Sequence, residues 1–195
     1  MTYSQLAIAG VWSHVSQAWL DERGGFREVY KLSDTSGYLD RPFQVSQVNQ
    51  STSGKGVLRG IHLTLGHEGQ EKYVFCSQGS IWDVAVDLRP SSSTYGKWCS
   101  QLLSATNGIS LMIPRGVGHA FLALEANTVV TYLCSTEYAP QNEVVVNPLD
   151  PAIGIPFREI ADDYTIDNFT LSHKDSHGMS LSEFSKVPLD SRSEI

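Results

Sequence analysis

A chain of 195 residues is close in size to a single domain, since domains average roughly 150 residues and a fold of this length buries about 70% of its unfolded surface without a disulfide or metal to hold it. Hydrophobic residues make up 41% and charged residues 18%, which excludes collagen-like and disordered chains. The net charge of -7 excludes a broad footprint for nucleic acid but not a small anion held by a few converging Arg and Lys.

Taken in chain order, Ser16 to Tyr30 is ambiguous between helix and strand, and Ser53-Gly54-Lys55-Gly56 reads as a turn. Arg59 and His62 follow in an apolar setting. On a regular strand they face oppositely, so their convergence needs a bend at Gly60. Glu71 to Cys76 is a strand that ends at the Ser77-Gln78-Gly79 turn. In Ile81 to Leu88 the even positions are apolar while Asp83 and Asp87 share the other face, the period of a strand with one face in a core. Ser110 to Ile113, Thr128 to Cys134 and Glu143 to Val146 are further strands, with a turn expected at Arg115-Gly116-Val117-Gly118. After Pro156 only short helices are expected. The serine-rich last 20 residues either fray or dock through Leu181, Phe184 and Val187. Short strands at this spacing predict an all-β antiparallel sandwich or barrel in one domain spanning 1–195, with a core over about 20–177 and a peripheral tail over 178–195.

Cys76, Cys99 and Cys134 are widely spaced and form no CxxC, so free thiols are expected rather than a disulfide framework or zinc knuckle. Met1 to Gly10 lacks the basic and apolar regions of a secretory signal, and no apolar run nears the roughly 20 residues of a membrane span. The expectation is a cytoplasmic protein with no membrane partner. The histidines are His14, His62, His67, His119, His173 and His177, and no two stand at i and i+2 on one strand face, so no metal site is expected. No Walker loop and no GxGxxG occurs either.

Several short patterns become informative together. Gly56-Val57-Leu58-Arg59-Gly60-Ile61-His62, Lys72-Tyr73-Val74, Asp83 to Arg89 with Ser93-Thr94-Tyr95-Gly96, Ile113-Pro114 and His119-Ala120-Phe121 follow one another in this order. Asp21-Glu22-Arg23-Gly24 with Phe26 and Glu28, and Gln47-Val48-Asn49, precede them. Tyr132 to Pro140 with Glu143, Asn147 to Ile155, and Leu171-Ser172-His173-Lys174-Asp175 follow. The series resembles the dTDP-4-dehydrorhamnose 3,5-epimerase family over about residues 20 to 177.

The resemblance implies a metal-free jelly-roll cupin with a few short peripheral helices, needing no cofactor and working as a homodimer on a dTDP-4-keto-6-deoxy sugar. By position, His62 corresponds to the family's base, Asp175 to the carboxylate that orients it, Tyr132 to the proton donor and Lys72 to the cation for the enolate oxygen. Arg59 resembles the residue that holds phosphate. Arg23, Glu28, Gln47, Asn49, His119, Glu143 and Lys174 match other substrate-binding positions. The residue types suit the chemistry, because a C–H beside a carbonyl needs a base on one face, a donor on the other and a cation for the enolate.

The chain departs from the more usual pattern at Ile61-His62-Leu63, at Gly118-His119-Ala120-Phe121 and at Ile155-Pro156-Phe157. These changes are expected to alter pocket packing. The resemblance implies epimerisation at both C3 and C5, while departures of this kind are familiar in relatives that epimerise one carbon; a single-centre epimerase and a non-catalytic nucleotide-sugar-binding cupin are the alternatives.

Overall fold

A computed structural model describes residues 2–35, 42–66 and 69–188; His67 and the tail beyond 188 lie outside the described residues. The chain runs β1 (Thr2–Gln5), β2 (Trp12–Val15), β3 (Ala18–Asp21), β4 (Gly24–Arg27), α1 (Leu32–Thr35), β5 (Gln47–Ser53), β6 (Leu58–Thr64), β7 (Lys72–Gln78) and β8 (Ser80–Asp87). It continues through β9 (Trp98–Ser104), β10 (Ile109–Ile113), β11 (Val117–Ala123), β12 (Thr128–Cys134), β13 (Glu143–Val145), α2 (Phe157–Asp163), α3 (His173–Ser176) and α4 (Leu181–Phe184).

Two sheets face each other. One has the order β1-β2-β10-β7-β12-β5 and the other β13-β6-β11-β8-β9, with every neighbouring pair antiparallel. The all-β sandwich expected from the period-two pattern is therefore present. The ambiguous segment between Ser16 and Tyr30 is a hairpin, β3 paired with β4 and with neither large sheet, and its Arg27 donates to the Thr106 carbonyl of the β9–β10 turn.

Between the sheets, Val74, Leu111 and Val130 of one pack against Ile81, Ala85 and Phe121 of the other. A second apolar layer covers the outer face of the five-stranded sheet, where Leu58, Ile61, Val84, Val86, Ala120 and Leu122 meet Phe157 and Phe184 from the C-terminal segment. β8 thus has apolar surroundings on both faces. Its even residues lie in the outer layer, while Asp83 shares the inner face with Ile81 and Ala85 and is fully buried. A sheet sandwiched between a partner sheet and a helical cover buries both faces of its strands.

The tail docks. Ser180 caps α4 with a reciprocal Glu183 contact, and Leu181, Phe184 and Val187 pack on the outer layer. The turn expected at Arg115 to Gly118 is displaced, because Val117 and Gly118 already pair with Asp87 and Val86 as the start of β11. No helix among the described residues is long and apolar enough to cross a membrane.

Candidate active site

The bend needed to bring Arg59 and His62 together exists. Along β6 and β11, His119 pairs with His62 and Phe121 with Arg59, so two steps on β11 span three on β6. This bulge at Gly60 and Ile61 reverses the alternation and points both side chains to the inner face. Gly60 has φ of 115°, and a Cβ there would lie 2.5 Å from the His119 carbonyl oxygen and 2.6 Å from Ala120 Cα. Only glycine fits such a backbone approach.

His62 Nε2 lies 2.6 Å from Asp175 Oδ1, leaving Nδ1 as the nitrogen free to act. Asp175 reaches β6 because Ser172 caps α3, accepting from the Asp175 N–H and donating its hydroxyl to Oδ2 at 2.8 Å. Asp175 is only 4% exposed. Burial pushes its carboxyl upward, but His62, the Ser172 hydroxyl and the Gly60 N–H together hold it below the ordinary carboxylate range.

Lys72 and Tyr132 come from the opposite sheet, at the start of β7 and near the end of β12. Burial lowers the Lys72 ammonium, an effect opposed by Cys134, Glu143 and Asp83. The Tyr132 phenol is raised by burial and lies 2.9 Å from Ser51 Oγ on β5. Its ring meets that of His119 edge-on, with centroids 5.9 Å apart.

His119 is held from behind by Asp83, with Nε2 and Oδ1 2.6 Å apart. Burial raises the Asp83 carboxyl, with His119 and Lys72 opposing. Sequence reasoning assigned Asp83 to a strand face and no role. Its signal was the alternation itself, which puts an aspartate opposite an apolar face but does not tell solvent from an interior cavity.

Asn49, Gln50, Ser51, Arg59, His62, Thr64, Gln70, Lys72, His119, Phe121, Tyr132, Cys134, Tyr138 and Glu143 line one cavity of about 200 Å³ between the sheets. Arg59 donates to Ser53 Oγ and the Thr52 carbonyl. Gln47 bonds Asn49 and the Tyr138 N–H, and Glu143 accepts from Lys174 at 2.5 Å and from the Tyr138 hydroxyl at 3.0 Å. Glu143 is pushed up by burial and pulled further down by Lys174 and His62. Gln50, Ser51, Thr64, Gln70 and Cys134 are cavity residues that the sequence reading missed. None carries a charge or stands in a pattern that signals a site.

Of the expected binding residues, Gln47 and Lys174 do not line the cavity but bond Asn49 and Glu143, which do, while Arg23 and Glu28 are elsewhere. Arg23, its side chain 84% exposed, pairs with Asp21 in the β3–β4 turn, and neither it nor Glu28 lines the cavity. The departures from the family pattern also fall outside it. Ile61, Leu63, Ala120 and Phe157 are buried in the outer layer, on the far face of the sheet, so none of them lines the cavity. The bulge at Gly60 is the physical reason, since it turns His62 inward and Ile61 outward. Among the described residues, no group of three or more His, Cys, Asp or Glu is placed to hold a metal ion.

The sequence profile of the dTDP-4-dehydrorhamnose 3,5-epimerase family matches residues 5–183. The chain is 39% identical over 183 residues to a dTDP-4-dehydrorhamnose 3,5-epimerase of Mycolicibacterium smegmatis, covering 94% of this chain and 87% of that protein. It is 36% identical to a dTDP-4-dehydrorhamnose 3-epimerase of Streptomyces niveus, with 94% and 85% covered. A solved 3,5-epimerase from Legionella pneumophila in complex with dTDP-4-keto-L-rhamnose superposes with a TM-score of 0.87 at 30% identity, over 100% of this chain and 98% of that one. A 3'-monoepimerase from Streptomyces bikiniensis in complex with dTDP-quinovose gives 0.87 at 34% identity, over 96% and 91%. The fold is the cupin-like one of these enzymes.

Proposed function

The chain belongs to the dTDP-4-dehydrorhamnose 3,5-epimerase family, and from that premise we propose how its cavity acts on a dTDP-4-keto-6-deoxyhexose. The protein is a carbohydrate epimerase, and the first reading is inversion of both carbons beside the sugar ketone, C3 and C5, through an enolate. His62 Nδ1 removes the proton from the carbon, and Asp175 stabilises the imidazolium that results. Lys72 faces the enolate oxygen, with His119 beside it. Tyr132 returns a proton to the opposite ring face. Arg59 and Lys174 take the diphosphate, while Gln47, Asn49 and Glu143 contact the nucleotide sugar.

One observation carries this reading: His62 and Tyr132 stand on opposing sheets yet line the same cavity. A base and an acid so arranged meet a sugar ring from its two faces, as inversion requires. The complete set of base, acid and cation argues against a cupin that merely binds the nucleotide sugar. The similarity to a 3-epimerase at 36% identity favours a second reading, inversion at one carbon.

Proton NMR of dTDP-4-keto-6-deoxyglucose in deuterated water, with C3 and C5 followed separately, tests both. Loss of both signals with inversion is the expected result. Loss at one carbon makes the enzyme single-centred. No exchange at either overturns the assignment.

We infer in addition a homodimer, each subunit one cupin domain working in the cytoplasm. The β3–β4 hairpin exposes Leu20 at 81% and Phe26 at 66% and carries Arg23, with Glu28 directly after it, which supports its insertion beside a partner's cavity. The free, buried thiols of Cys76, Cys99 and Cys134 support a reducing compartment. A mixture of Arg23→Ala and His62→Ala subunits is expected to recover activity that neither variant has alone. A monomer in sedimentation at micromolar concentration overturns the dimer.

A further inference from the structure

Each inversion leaves two groups spent. The base holds a proton from carbon, and the donor is a phenolate until a proton reaches it. The reset of the donor is the harder half, because the Tyr132 hydroxyl sits in a cavity that the sugar fills, its pocket side then shut off from water.

Among the described residues, the Tyr132 hydroxyl has one hydrogen-bond partner, Ser51 Oγ at 2.9 Å, and Ser51 has no other. Ser51 is the diagonal cross-strand neighbour of Tyr132, since β12 pairs Tyr132 with Asn49 and Val130 with Ser51. β5 is the edge strand of its sheet. Ser51 is half-buried there, between the exposed Gln50 and Thr52. Its hydroxyl, on a half-buried residue of the edge strand, lines the same cavity as the phenol it touches. The phenol ring also meets His119 edge-on, and Asp83 fixes that histidine in turn.

We propose that Ser51 is the positioning residue of Tyr132 and the hydroxyl through which its proton is returned. This rests on Tyr132 being the proton donor. As the new C–H bond forms, the Tyr132 O–H bond breaks. The Ser51 O–H proton then passes to the phenolate while Ser51 Oγ takes a proton from a water at the strand edge. The hydroxide released is neutralised by the proton that His62 sheds to solvent, so each inversion is balanced without an oxidant or cofactor. Burial makes the phenolate costly, and the Ser51 hydrogen bond works against that cost.

Wild type, Ser51→Ala, Ser51→Thr and Tyr132→Phe are compared on dTDP-4-keto-6-deoxyglucose in deuterated water, scoring deuterium incorporation and inversion at each carbon separately. Ser51→Ala is expected to keep the exchange driven by His62 while inversion falls about tenfold or more, so the ratio of exchange to inversion rises; Ser51→Thr restores it. Inversion at the wild-type rate in Ser51→Ala overturns the proposal. So does an equal loss of exchange and inversion in both Ser51 variants, which is the mark of a merely structural residue. If Tyr132→Phe inverts as fast as wild type, or wild type exchanges nothing, the donor reading itself fails and takes this proposal with it.

Discussion

Asp83 places Oδ1 2.6 Å from His119 Nε2 while its other carboxylate oxygen is buried without a hydrogen-bond partner among the described residues. Full burial of a carboxyl with one oxygen unmet is costly, and its histidine lines the cavity of the proposed reaction. The pair therefore fixes the His119 ring at some expense to stability. Breaking it by Asp83→Ala leaves the histidine buried alone, and the expected loss is about 3–5 kcal/mol in denaturant unfolding. Asp83→Asn keeps the shape and loses less. An Asp83→Ala protein with an unchanged denaturation midpoint contradicts this account.

The pairing of His62 with Asp175 leads to a prediction about activity and one about acid. Asp175→Asn is expected to lower kcat by about 100- to 10,000-fold, as for loss of the partner of a general base. The folded carboxyl titrates below its unfolded value, so its stabilisation is present above the unfolded pKa and is lost as pH falls through the lowered folded one. Stability of the wild type should therefore drop more steeply than that of Asp175→Asn below about pH 4. Parallel unfolding curves across that window count against the native interaction.

How much of this was legible in the sequence differs between elements for physical reasons. β8 and β12 were readable because their apolar residues recur with period two or in a dense β-branched run. β5 was not, since Gln47–Ser53 is a polar edge strand whose side chains are mostly exposed, which leaves no apolar alternation to see. β9 hid in the same way, with only Cys99 and Leu103 of its seven residues buried. In the site, His62 and Asp175 are 113 residues apart, and family resemblance rather than spacing joined them. Ser51 left no trace because a serine among polar neighbours on an edge strand looks like any exposed serine.

Gly60 is the hinge on which the site geometry turns. With φ of 115° and the β11 backbone 2.5 Å from any added Cβ, Gly60→Ala meets a carbonyl and a Cα that cannot swing aside as a flexible side chain would. The expected loss is about 3 kcal/mol, with the bulge flattened in whatever protein still folds. Activity should fall further than stability, because a flat β6 turns Arg59 and His62 to opposite faces. A Gly60→Ala enzyme with wild-type kcat at a temperature where it is fully folded would falsify this role for the bulge.

The departures at Ile61 and Gly118 form a packing pair rather than a specificity device. A Cβ on Gly118 would lie 2.4 Å from Ile61 Cγ2 and 2.9 Å from Leu88 Cδ1, so the absence of a side chain at 118 makes room for the β-branched one at 61. Gly118→Ala alone is expected to cost about 1–3 kcal/mol from overpacking. Ile61→Leu removes the offending branch. The two substitutions together should cost less than their sum, with a coupling of about 1 kcal/mol or more in a double-mutant cycle. Both residues lie in the outer layer behind the sheet, so the ratio of C3 to C5 exchange in deuterated water should be the same in the double variant as in wild type. A change in that ratio would mean that the outer layer sets the ring's position from behind, and that carbon specificity is not confined to the residues lining the cavity.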